Sequence, residues 1–185
     1  ADDRWRAEIL IRFRLYSHHP DEMVIFRALR QAALSRGDPG LYQYGGLFIY
    51  PIGVLLKLGA VVGVVTLTPQ LAYYLDHPAA FGRFYLLARL YVVAFALAGV
   101  AAVYKLSSTI AAQQTGIRPA RAAIFATVLF LLMPAVVSAA HEAKPHLPAA
   151  ALALWAAYAA MRYIATGRKR CWRGAALLCG SACGM

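Results

Sequence analysis

Apolar positions along this chain follow two regimes. As far as residue 38 they are interleaved with charged side chains; from residue 47 onward they gather into long runs separated by short basic or polar turns. A membrane-spanning helix needs about 20 mostly apolar residues. Residues 122–140 carry no charge and form the clearest span, with Pro134 expected to kink it. Residues 84–105 qualify with Arg89 close to their first end, and residues 147–165 qualify with Arg162 placed to snorkel from the last turn. Residues 174–185 read as the start of another span. Residues 47–67 are long enough to cross, but Lys57 falls at their middle, where a charge costs about 2.5–3.5 kcal/mol.

Composition sharpens this picture. The 185 residues are 61% hydrophobic and only 15% charged, against the roughly 45–50% apolar content of soluble domains. The net charge of +11 would point to nucleic acid on a soluble protein, but here its distribution points to a bilayer. Lys105, Arg118 and Arg121 flank one connection, and Arg162, Arg168, Lys169, Arg170 and Arg173 flank another, with no acid in either. Both connections are expected on the cytoplasmic side. The turn 141–146 then faces outward, as does the approach to residue 84. If residues 47–67 lie in the interface or dip in and return, the polar N-terminal segment shares that outer side, and Lys57 reaches the headgroups. This arrangement is favoured over a full crossing. Cys171, Cys179 and Cys183 lack CxxC spacing and read as small apolar residues rather than disulfides or zinc ligands.

The N-terminal segment holds six of the eight acids: Asp2, Asp3, Glu8, Asp21, Glu22 and Asp38. Pro20 suits the first position of a helix, acids follow it, and Gly37 ends it ahead of Pro39. Met23, Phe26, Leu29 and Ala33 share one face, with Arg27, Arg30 and Gln31 away from it, a pattern that fits a helix lying on the bilayer surface. Asp21 and Glu22 have two readings. Acids in a first turn stabilise the positive end of the helix dipole; alternatively, a carboxylate held at the membrane surface serves as general base toward a hydroxyl. Neighbouring side chains diverge by about 100° on a helix, so one acid can serve chemistry while the other caps or binds a cation. His18, His19, Asp21 and Glu22 as a metal site is the weaker alternative, since their spacing is not diagnostic. Tyr42, Tyr44 and Tyr50 around Gly45-Gly46 make an aromatic turn of the kind common at interfaces, and also of the kind a sugar or headgroup stacks against.

Taken in order, these residues resemble the protein O-mannosyltransferase and aminoarabinose transferase group of polytopic glycosyltransferases, the GT-C fold. The string runs His19-Pro20-Asp21-Glu22, a short helix, Gly37-Asp38-Pro39, and the aromatic-Gly-Leu-Tyr run from Tyr42 to Tyr50. It continues with Ala88-Arg89-Leu90 opening a helix that ends Val103-Tyr104-Lys105-Leu106, then Met133-Pro134, then His141-Glu142-Ala143-Lys144-Pro145-His146. The resemblance covers residues 15–185. It implies an all-α, polytopic transmembrane bundle with an extracytoplasmic loop carrying amphipathic juxtamembrane helices. The activity it implies is transfer of a sugar from a polyprenyl-phosphate carrier to a hydroxyl acceptor at the extracytoplasmic face. It places the base on Asp21, with Glu22 beside it, and assigns Arg89 to the same site. The chain departs from the group at Gly45-Gly46, where relatives often have Pro-Pro. At Gln43-Tyr44 the aminoarabinose enzymes carry Glu-Lys, and at His146 relatives often have Asp. Neither mannose nor aminoarabinose is therefore assigned.

The expected organisation is an extracytoplasmic loop over residues 1–46, an embedded or interfacial segment with an external loop over 47–83, and transmembrane helices over 84–185 (84–105, 120–140, 147–165 and a truncated 174–185). Asp21 and Glu22 are the expected catalytic pair; Arg89, Lys144, His141, His146 and Tyr44 are expected to bind substrate. Lys144 would neutralise a lipid-linked phosphate, with the histidines assisting proton transfer. No cofactor is expected. The partners are the lipid-linked donor, the acceptor and the bilayer, with no nucleic acid, and the location is a multi-pass position in a prokaryotic plasma membrane. Residues 1–16 are too charged to be the family's first membrane helix, and the chain reads as the N-terminal part of a longer enzyme. The rival reading is a transporter or non-catalytic membrane subunit. A transporter more naturally places its ionisable groups near the midplane, in broken helices.

Overall fold

The computed structural model describes residues 2–19 and 21–185, with side chains from Trp5 onward. Pro20, the expected first residue of the surface helix, lies outside the described residues. The regular structure of the described residues is all helix, with no strand: α1 (Asp2–Leu15), α2 (Asp21–Leu34), α3 (Gly46–Val61), α4 (Leu71–Asp76), α5 (Pro78–Ala111), α6 (Pro119–Leu132), α7 (Pro134–Ala140), α8 (His146–Thr166) and α9 (Lys169–Cys183). Prolines open α5, α6 and α7, where a missing N–H costs nothing. α2 ends as Arg36 and Gly37 turn into the left-handed region, at φ of 54° and 104°, and the Gly37 N–H bonds the Ala32 carbonyl at 2.8 Å. α8 ends in the same way at Gly167, φ 65°.

α5 and α8 are each long and apolar enough to cross a membrane. α6 and α7 qualify together but are bent by 63° at Met133. Met133 sits at φ −64° and ψ 120°, the extended region that a following proline imposes; the expected kink at Pro134 is a break. α5 spans 34 residues, about 51 Å at 1.5 Å per residue, and starts six residues earlier than the expected 84. α3 has 16 residues, about 24 Å, short of a hydrocarbon core about 30 Å thick.

The chain divides into two compact units. One comprises the residues up to Tyr44 together with Phe48–Tyr91, and the other comprises Gly45–Leu47 with Val92–Met185. In the first, an aromatic cluster forms the core. Phe26 of α2 packs against Phe81, Phe84 and Tyr85 of α5 with ring centroids 5.6, 5.8 and 5.0 Å away, and Tyr74 of α4 closes on Phe81 and Phe84 at 5.5 Å. Met23 and Ile25 are buried with it. This corrects the expectation for α2: half of its apolar face, Met23 and Phe26, is covered by protein rather than laid on a bilayer. On α3, Phe48, Ile49, Ile52 and Leu56 are buried, whereas Leu47, Tyr50, Val54, Lys57 and Leu58 are exposed. In the second unit α9 packs along α8, and the Trp155 indole donates to the Ala98 carbonyl at 2.9 Å. There the Gly45 and Leu47 N–H groups bond the carbonyls of Met185 and Gly184 at 2.6 and 3.1 Å. The three cysteines are free thiols.

Candidate functional site

The Asp-Glu pair sits in the first turn of α2, at the end of a short connection from α1. The two acids have opposite surroundings. Glu22 is fully enclosed, while Asp21 is exposed. A buried carboxylate is tolerable only if its charge and lone pairs are met. Arg89 meets them with a two-pronged fork, Nε to Oε1 at 3.0 Å and Nη2 to Oε2 at 2.7 Å, the geometry that a planar guanidinium matches best. Ser17 adds its hydroxyl, donating to Glu22 Oε2.

Around this pair the connection is pinned to α5. The Tyr85 hydroxyl donates to the Leu15 carbonyl at 2.8 Å and accepts the Ser17 N–H at 3.3 Å. One turn further along α5, the Arg89 guanidinium lies 5.8 Å from the Tyr85 ring centroid, within range of a cation–π contact. Arg89 follows Pro78 by eleven residues (89 − 78), about three turns. It was expected about one turn into its helix, either reaching the headgroups or partnering Asp21, Glu22 or a carrier phosphate. It lies further along α5 than that, with its side chain 36% exposed, and Glu22 is its partner.

The other expected residues of this unit lie nearby in sequence. Tyr44 packs edge-on against Phe48 at 6.1 Å. His18 and His19 sit edge to face at 5.4 Å. Among the described residues no group of three or more His, Cys, Asp or Glu is gathered as a metal site. Tyr42 donates to both Asp38 oxygens, at 3.2 and 3.1 Å, and this hydrogen bond with the adjacent negative charge raises the phenol above its ordinary pKa.

The second unit holds the turn between α7 and α8. Here the structure reveals a partner that sequence reasoning passed over. Glu142 is buried, accepts from the Ser138 hydroxyl at 3.2 Å and pairs with the Lys144 ammonium at 2.9 Å. Lys144 is itself mostly enclosed, with 18% of its side chain exposed. His141 is exposed, its Nδ1 2.7 Å from the Val137 carbonyl, and His146 is exposed at the first position of α8. The available signal was that Glu142 is the only acid beyond Asp76, two residues from the lysine. A separate cavity of about 290 Å³ between α5 and α6, lined by Ser107, Gln114, Ala122 and Ala126 among others, contains none of the expected residues.

Chemically, the first unit offers an exposed carboxylate beside a fixed, neutralised acid, and the second offers a cation held in place by a buried acid. No family model, curated protein or solved structure matches the chain.

Proposed function

We propose that the chain belongs to a multi-pass membrane glycosyltransferase of GT-C type. Its reaction moves a sugar from a polyprenyl-phosphate carrier to a hydroxyl acceptor at the extracytoplasmic face. The observation that supports this reading best is the division of labour in the Asp-Glu pair. Glu22 is enclosed and neutralised by Arg89 from an apolar helix, so it positions the first turn of α2; Asp21, next to it, is exposed.

In the proposed reaction Asp21 takes the proton of the acceptor hydroxyl as the acceptor oxygen bonds to the anomeric carbon. The bond from that carbon to the carrier phosphate oxygen breaks, and its electron pair leaves with the phosphate. The added negative charge calls for a cation. Glu22, expected to be catalytic, becomes a positioning residue, and Arg89 acts through it. The extracytoplasmic assignment rests on the basic flanks of the cytoplasmic turns. In that arrangement α3 lies in the interface or dips into it, in keeping with its length.

The test is transfer from polyprenyl-phosphate sugars by the full-length protein, wild type against Asp21→Asn. Transfer is expected to fall by at least about 100-fold, the lower range of what a positioned base contributes. Unchanged transfer in this variant, with the protein folded, rules out the base assignment.

A further inference from the structure

The cavity of about 290 Å³ between α5 and α6 takes no part in the proposed chemistry. It lies wholly within the second unit, where the two helices approach their connection. Small side chains open it: Ala111 on α5, and Ala122 and Ala126, one turn apart on α6. Its character changes with depth. Gln114 lies in the connection and Arg118 stands one turn ahead of Ala122, so the mouth is polar and cationic. Ala126 is seven residues past Pro119 (126 − 119), about 10 Å along α6, so the inner end reaches the apolar run that begins at residue 122. Ile110 and Ile117 beside it keep 47% and 46% of their surface. The hydroxyls of Thr109 and Thr127 are taken by the carbonyl one turn back, at 2.7 Å each, whereas that of Ser107 stays open to the cavity. No acid occurs between Asp76 and Glu142, so the exposed Arg118 and Arg121 have no carboxylate of this stretch to meet them.

We propose that this cavity binds an anionic phospholipid, with the phosphate at Arg118 and Gln114, a glycerol ester carbonyl at Ser107, and an acyl chain over Ile110 and Ala126. Charge and wall chemistry together choose this occupant. A water-soluble phosphate would meet the arginine but leave the apolar walls uncovered. A zwitterionic lipid offsets its phosphate with its own ammonium, and a further apolar helix would give Arg118 no counter-charge. The volume stands at the lower edge of the roughly 300–1,000 Å³ of small-molecule sites, enough for a headgroup and the start of one chain. Basic pockets between spanning helices on the cytoplasmic side are where anionic headgroups bind, and the basic flanks of this connection give it that side. The inference does not depend on sugar transfer.

The experiment titrates the full chain in neutral detergent with phosphatidylglycerol or phosphatidylcholine and counts retained lipid by native mass spectrometry. Its signal is the difference between wild type and Ala126→Leu, which fills the inner end without changing charge. Lipid held elsewhere, as at Arg168–Arg173, cancels in that difference. Wild type is expected to retain one phosphatidylglycerol more than Ala126→Leu, and to hold it at least about fivefold more tightly than phosphatidylcholine. Ala122→Leu, on the same wall, is expected to act like Ala126→Leu. Arg118→Gln, at an exposed position, is expected to weaken retention about fivefold, the usual effect of one basic residue at such a surface. A large excess of glycerol phosphate is expected to leave the lipid bound. Equal retention by wild type and both filling variants would overturn the inference, leaving a diffuse attraction of anionic lipid to basic turns. So would equal affinity for the two lipids, or displacement by glycerol phosphate, which would make the cavity a site for a soluble phosphate.

Discussion

Arg89 and Glu22 stand 67 positions apart in the chain and meet as a two-pronged ion pair that joins α5 to the first turn of α2. The pair is asymmetric: the carboxylate is fully enclosed, while the guanidinium side chain keeps 36% of its surface. Removing the arginine therefore strands a buried charge, whereas removing the acid frees a group that can still reach water.

Arg89→Met is accordingly expected to destabilise the protein by about 3 kcal/mol, the low end of what breaking a buried pair costs because the arginine is partly solvated. Glu22→Leu is expected to cost less, and the double variant to recover most of the Arg89→Met loss, since apolar replacement of both partners removes the stranded charge. Thermal unfolding of the four proteins in one detergent checks this. Additive losses in the double variant would show that the two residues are not coupled.

Lys144 and Glu142 make the corresponding pair in the second unit, and here both partners are mostly enclosed. Lys144→Gln leaves the Glu142 carboxylate with the Ser138 hydroxyl, so a loss of about 2 kcal/mol is expected. Lys144→Arg is expected to keep most of the stability. If Lys144 also supplies charge to a carrier phosphate, Lys144→Gln raises the KM for lipid-linked donor beyond what the melting shift explains. Unfolding and transfer measured on the same preparation separate the two effects.

What could be read from the sequence was whatever depends on local pattern. The apolar runs gave α5, α8 and the α6–α7 pair, and Pro134 marked their break because a proline acts on its immediate neighbours. The Asp21–Glu22 turn and the Gly37 stop were equally local. One failure involves packing between distant segments. The apolar face of α2 is the same whether it meets lipid or Phe81, Phe84 and Tyr85, and only the fold decides between them. α1 was missed because its charged residues are scattered among the apolar ones and leave no clear helical periodicity to read. Arg89 was placed too near its helix end because the hydrophobic run starts at residue 84, whereas the helix starts at Pro78. The Glu142–Lys144 pair was local enough to find, but the turn was read for its cations alone.

The 63° bend between α6 and α7 rests on Met133, whose extended backbone Pro134 enforces. Pro134→Ala restores an N–H and removes the ring clash, and Ala favours helix by about 3 kcal/mol over Pro in an interior position. The bend is expected to shrink toward a continuous helix. Spin labels at Ile124 and Val137 report it as a longer mean distance in the variant. An unchanged distance would mean that packing, rather than the proline, holds the break.

Tyr42 links proton binding to the loop ahead of α3. Its hydroxyl donates to both Asp38 oxygens while the Gly40 N–H also bonds Oδ1 at 2.9 Å. Deprotonating the phenol replaces a hydrogen bond with two adjacent anions, which is why its pKa is raised above 10.0. The sign follows directly: a raised folded pKa means the interaction is fully present below the unfolded value near 10 and is lost as pH climbs through the folded value. Ultraviolet phenolate absorbance, taken as the difference between wild type and Tyr42→Phe, is expected to titrate above pH 10. Asp38→Asn removes the charge but keeps an acceptor, so the same titration is expected to move back down toward 10. If Asp38→Asn left the Tyr42 titration where it was, the hydrogen-bonded pair would not be its cause.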